Sequence, residues 1–95
     1  IIIDPGIGFG KNLEHNLTIL KNLGSFKELN LPLMIGPSRK SFIGHISGEK
    51  TPSKRVAGTV AVCLYCYEYA DIFRVHVVYE LSQAFSVWKT LKINK

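Results

Sequence analysis

Leu33-Met34-Ile35-Gly36-Pro37-Ser38-Arg39-Lys40-Ser41-Phe42-Ile43-Gly44 carries the chain from an apolar run straight into a cationic, hydroxyl-bearing loop. Glycines stand at both ends of that loop. An apolar strand that feeds such a loop is how an α/β protein presents anion-binding groups at the carboxyl end of a strand.

The same order recurs on either side. Ile1-Ile2-Ile3 is a β-branched run, expected of a strand buried on both faces of a parallel sheet. It opens onto Asp4-Pro-Gly-Ile-Gly-Phe-Gly-Lys11, a loop by its Pro and alternating glycines, without the spacing of a dinucleotide loop. A helix follows, with Asn12 as N-cap, Leu13, Leu17, Leu20 and Leu23 on one face and Gly24 as its stop. In the second unit, Leu31 to Ile35 reads as strand, Ser41 to Ile46 as a short helical turn and Gly48 to Lys50 as a surface connection. Thr51-Pro52 predicts a helix start, followed by a stripe of Val56, Val60, Cys63, Leu64 and Tyr67 that ends near Tyr69. In the third unit, Ile72 to His76 reads as strand and about Tyr79 to Leu91 as helix, with Leu81, Ala84, Phe85, Trp88 and Leu91 inward.

Three β-loop-α units imply parallel strands with right-handed crossovers. An open doubly wound sheet and a (β/α)8 barrel both fit. A barrel of about 250 residues allots roughly 94 to three of its eight units, and the chain has 95. The fold class expected is therefore α/β: the last three β/α units of a (β/α)8 barrel, residues 1–95 being the C-terminal part of one domain. The start at Ile1 reads as a cut through a strand.

Composition narrows the function. The sequence is 46% hydrophobic with a net charge of +5, which fits an anionic ligand. No basic run or aromatic-basic interleaving marks a nucleic-acid partner. No stretch approaches the roughly 18 apolar residues of a membrane helix, so no membrane partner is expected. Cys63 and Cys66 have C-x-x-C spacing but sit midway along a predicted helix, where they read as small buried hydrophobes. Two thiols without a disulfide framework suit a reducing compartment, and a cytoplasmic location is expected.

All three strands end in ligand-type residues: Asp4, then Ser38-Arg39-Lys40, then Arg74 and His76. Period-two geometry puts Arg74 and His76 on one face. Taken singly, Arg74 also reads as an ion-pair partner, His76 as a core histidine, Asp4 as a loop cap and Arg39 as a surface cation. Together, Arg74 and His76 suit a polyphosphate. Asp4 and Lys40 suit a polar heterocycle: a carboxylate accepts two N–H bonds from an aminopyrimidine-like edge, and a lysine donates to a ring carbonyl or nitrogen.

At these residues the chain resembles the dihydropteroate synthases, folate-pathway enzymes of the pterin-binding (β/α)8 family. The matching segments are Asp4-Pro-Gly-Ile-Gly-Phe-Gly-Lys11, Gly36-Pro-Ser-Arg-Lys-Ser-Phe-Ile-Gly44 and Arg74-Val-His76, with Arg55 and Ala57-Gly58-Thr59 between the last two. The resemblance implies condensation of a dihydropterin methyl diphosphate with 4-aminobenzoate, releasing diphosphate. It implies that Asp4 and Lys40 hold the pterin and that Arg74 and His76 bind the diphosphate. Phe9 and Lys40 would flank the aminobenzoate, with Ser41 near its carboxylate, so Lys40, Arg74 and His76 would carry the catalysis. It implies Mg²⁺ whose asparagine ligand lies in a strand outside this sequence, with no metal ligand among these residues. It further implies small-molecule substrates, a homodimer when complete, and no activity from residues 1–95 alone. Two positions depart from the family pattern: Val77 stands where Asp is usual, and Tyr69 where Gly is usual. A pterin-binding methyltransferase of the same barrel class, or an inactive degenerate copy, are the rival readings.

Overall fold

The structure, a computed structural model, describes residues 1–7, 12–37 and 40–93. Its centre is a parallel arrangement in sequence order. Ile3 bridges Leu33, donating to the Pro32 carbonyl at 2.8 Å and accepting from the Met34 amide at 2.8 Å. β1 (Met34–Ile35) pairs with β2 (Ile72–Phe73) in the register Met34↔Ile72 and Ile35↔Phe73. The strands are shorter than the alternation predicted, because the sequence leaves the ladder as soon as Gly36-Pro37 and Arg74 turn toward the loops. Ile1 and Ile2 are exposed, contrary to the doubly buried strand expected of them: among the described residues Ile3 bridges Leu33 on one side and no strand is paired on the other.

The first crossover is α1 (Leu13–Lys21) followed by α2 (Leu23–Lys27). Asn12 caps α1 as expected, its side-chain oxygen accepting from the His15 amide at 2.8 Å. Gly24 is not the stop. Asn22 ends α1 two residues earlier by donating from its side chain to the Thr18 carbonyl at 2.7 Å, and Gly24 lies inside α2.

The second crossover holds α3 (Ser41–Ser47), a 3-10 turn (Pro52–Lys54) and α4 (Val56–Cys66). Gly48 closes α3 at φ 82°, a left-handed position that suits glycine. Thr51 makes no side-chain cap, and Pro52 opens the 3-10 turn in place of the α-helix expected there. Tyr69 lies in the turn after α4, and among the described residues Asn30 is the non-glycine with positive φ. The missing glycine at Tyr69 therefore costs no left-handed strain.

The core joins Leu20, Leu23, Leu33, Ile35, Phe42, Ile43 and Cys66. Replacing Phe42 by Ala would cost about 3–5 kcal/mol at such a site. α5 (Val78–Ile93) packs Leu81 and Phe85 inward, with Phe85 stacked on Tyr67 at 5.0 Å and edge-on to Phe73 at 5.1 Å. Trp88 and Leu91, expected inward, are exposed. A helix of 16 residues is roughly 24 Å long; its last turns run beyond the short sheet and meet the end of α4 at the rim, where Trp88 lines a groove with Leu64 and Tyr65 and Lys92 Nζ pairs with Glu68 at 2.6 Å.

Asp71, just before β2, accepts from the Leu33 amide at 2.9 Å and from Lys27 Nζ at 2.7 Å. Those two bonds hold its carboxyl below the ordinary aspartate value, the Lys27 bond contributing most.

Candidate functional site

The register of β1 and β2 sets the site. The ladder ends at Ile35↔Phe73, which leaves Gly36 and Arg74 beside each other just past it, and the Arg74 amide donates to the Ile35 carbonyl at 3.0 Å. The Arg74 guanidinium then folds back over Gly36. A β-carbon at Gly36 would stand 3.4 Å from both Nε and Nη2 of Arg74. Gly36, Lys40, Arg74, Val75 and His76 line a cleft of about 210 Å³.

Lys40 stands at this cleft with its backbone held on both sides. Its amide donates to the Pro37 carbonyl at 3.2 Å, and its carbonyl accepts from the Ile43 amide at 3.0 Å. It is the residue on which α3 begins. Asp4 joins through Arg74: its Oδ2 lies 3.9 Å from Arg74 Nη2, while its Oδ1 accepts from the Gly6 amide at 2.9 Å. Asp4 therefore caps its own loop and also faces the cation. The Asp4–Arg74 pair is long and open to solvent, a class worth less than about 1 kcal/mol, so an arriving anion displaces it at little cost.

Asp4, Lys40, Arg74 and His76 thus gather from three successive strand ends. Ser41 is placed apart, in a second groove with Gly44, His45, Gly48, Glu49, Lys50 and Arg55. Phe9, Ser38 and Arg39 lie outside the described residues. Sequence reasoning missed the part of Gly36 as the surface on which Arg74 lies. The signal was the strand register, which a single sequence does not contain.

Val77, where the resemblance leads one to expect a carboxylate, is buried. Its carbonyl accepts from the Leu81 amide at 3.0 Å. The Arg74–His76 segment is therefore anchored below by an apolar side chain.

Chemically, the cleft offers a guanidinium, an ammonium and an imidazole at the carboxyl ends of adjacent parallel strands. Such a set has the donors that a polyanion requires.

Residues 1–76 match the family described as pterin binding enzyme. The dihydropteroate synthase of Synechocystis sp. is 51% identical over 84 residues, covering 87% of this chain and 29% of that protein. The enzyme of the same name from Neisseria meningitidis serogroup B is 45% identical over 98 residues, covering 99% and 34%. A Xanthomonas albilineans dihydropteroate synthase, solved in complex with 7,8-dihydropteroate, superposes with a TM-score of 0.92 at 40% identity, over 96% of this chain and 35% of that one. The chain spans about a third of the length of the dihydropteroate synthases it matches, and less of a longer folic acid synthesis protein. Its fold is three β/α units of a (β/α)8 barrel. With residues 1–76 of 95 matched, and a close likeness to solved structures across nearly its whole length, the chain belongs to the pterin-binding enzyme family.

Proposed function

We propose that this chain is the C-terminal part of the single barrel domain of a dihydropteroate synthase. The reaction would join a (7,8-dihydropterin-6-yl)methyl diphosphate to 4-aminobenzoate, giving 7,8-dihydropteroate and diphosphate in folate biosynthesis. The observation that carries this reading is the cleft in which Arg74, His76 and Lys40 meet over Gly36.

Asp4 and Lys40 hold the pterin, and Arg74 and His76 hold the diphosphate. The methylene C–O bond breaks and its electron pair leaves with the diphosphate, whose growing charge Arg74 and His76 stabilise, while Lys40 keeps the pterin in place. The aniline nitrogen then attacks the methylene carbon, forms the C–N bond and loses a proton. The resemblance would put Phe9 beside the aminobenzoate and Ser41 toward its carboxylate, with Ser41 reaching it from the groove next to the cleft.

Mg²⁺ belongs to this reading only through residues outside the chain. Among the described residues no three His, Cys, Asp or Glu gather to hold a metal. The complete enzyme would be a cytoplasmic homodimer. No helix among the described residues is long and apolar enough to cross a membrane. Residues 1–95 alone would be inactive, since further pterin contacts come from other strands.

The test is pyrophosphate binding in a full-length chain carrying this segment. Losing a hydrogen bond to a charged group costs about 1.5–3 kcal/mol, or roughly 10- to 150-fold in affinity. Arg74→Ala should weaken pyrophosphate binding by that amount in titration calorimetry. Unchanged affinity in a folded protein would remove the diphosphate assignment.

A further inference from the structure

We propose that Arg55 is a positioning residue for this site, fixing through α3 where Lys40 and Ser41 stand. The inference rests on the functional reading above for the roles of those two residues.

α3 has seven residues and no side-chain cap at its start. A helix that short is marginal in water by itself, so packing must set its place. Phe42 and Ile43 bury its inner side. On its other side lies Arg55. Arg55 Nε donates to the Glu49 carbonyl at 2.9 Å and Nη2 to the Lys50 carbonyl at 3.1 Å. Its guanidinium occupies the space that Gly44 leaves by having no side chain. A β-carbon there would stand 2.5 Å from Nη2, 2.7 Å from Cζ and 2.8 Å from the Glu49 carbonyl oxygen. The Gly48 amide closes the same turn on the Gly44 carbonyl at 2.8 Å.

Arg55 is also where α4 begins, its carbonyl accepting from the amide of buried Thr59 at 2.9 Å. One turn on, Gly58 meets Ile43 so closely that a β-carbon on it would overlap the Ile43 side chain. Two glycines, Gly44 and Gly58, thus let α4 and its first residue press directly on α3. They fix both the roll and the slide of that helix. At the far end of α3 the Pro37–Lys40 and Lys40–Ile43 backbone bonds pass its position on to Lys40. Arg74 and His76 hang from β2 and do not share this support. A planar fork serves two carbonyls at once, and a lysine ammonium does not reproduce it.

The test compares Arg55→Lys, Gly44→Ala and Lys40→Ala in a full-length chain carrying this segment. A small displacement of a catalytic group far from the altered residue costs up to about a hundredfold. Arg55→Lys and Gly44→Ala should each lower kcat/KM for 4-aminobenzoate by roughly ten- to a hundredfold, with pyrophosphate affinity held. If Arg55→Lys fails to fold, Gly44→Ala, which pushes apart the guanidinium and the Glu49 carbonyl it binds without removing either, carries the same readings. Unchanged kcat/KM in both variants, beside a clear loss in Lys40→Ala, overturns the inference. A loss of pyrophosphate affinity that runs parallel to turnover and to a falling melting temperature overturns it too, because Arg55 would then support the whole fold. An inert Lys40→Ala would instead defeat the functional reading. Hydrogen exchange of the Gly48 amide then decides Arg55 separately: faster exchange in Arg55→Lys supports its hold on α3, and unchanged exchange refutes it.

Discussion

The Arg74 guanidinium lies over Gly36 at the distance of van der Waals contact with a β-carbon that the glycine does not have. The contact is just tight enough to grade. Gly36→Ala places its methyl 3.4 Å from Nε and Nη2, which a small shift of the arginine absorbs. Gly36→Val adds two methyls to a buried position and drives the guanidinium out of the cleft. We expect pyrophosphate affinity to be nearly unchanged in the alanine variant and to fall about tenfold or more in the valine variant, the scale of one lost charge-assisted bond. Titration calorimetry on both variants reads the difference, and equal affinities would mean that Arg74 reaches the anion without lying on Gly36.

Lys40 and Lys50 are ten positions apart and differ in setting. Lys40 lines the cleft and is tied on both sides by backbone bonds. Lys50 contributes its carbonyl to Arg55, a bond that truncating its side chain leaves in place. Lys40→Ala should therefore lower kcat/KM about tenfold or more, and Lys50→Ala should leave it alone. Equal losses in steady-state kinetics would make Lys40 one more surface charge.

The two thiols set an alkaline limit on stability. Burial pushes Cys63 and Cys66 from 9.0 up to about 12, with charge on Cys66 adding to the effect at Cys63. In the unfolded chain they ionise from about pH 9, while in the folded chain they hold their protons to about pH 12. Over that interval the unfolded state binds fewer protons, so stability falls as pH rises. Below about pH 9 the contribution is complete. Denaturant midpoints measured across this range should decline, and a Cys63→Ala, Cys66→Ala double variant should flatten the decline. A thiol reagent at about pH 8 should label the folded protein only as fast as it opens.

How far the sequence carried the structure depended on distance along the chain. The Asn12 cap was legible because donor and acceptor are three residues apart. The three β/α units and the meeting of Arg74, His76, Lys40 and Asp4 followed from strand ends and period. The stop at Gly24 was misread because Asn22 reached back to Thr18 first, a choice that two residues of equal turn propensity leave open. Trp88 and Leu91 carried the right periodicity on turns that meet only the solvent-exposed rim beside the end of α4. The part played by Arg55 was beyond reading: its partners are carbonyls, which every residue has, and its seat is a missing β-carbon on Gly44.

Asp71 and Arg74 sit at opposite ends of β2, three positions apart. The first is fastened to Lys27 and to the backbone at Leu33, and the second faces the cleft. One strand thus keeps its mooring and its working end on separate residues. Sequence drift at the mooring can trade robustness without altering affinity, and drift at the working end can retune affinity without loosening the frame.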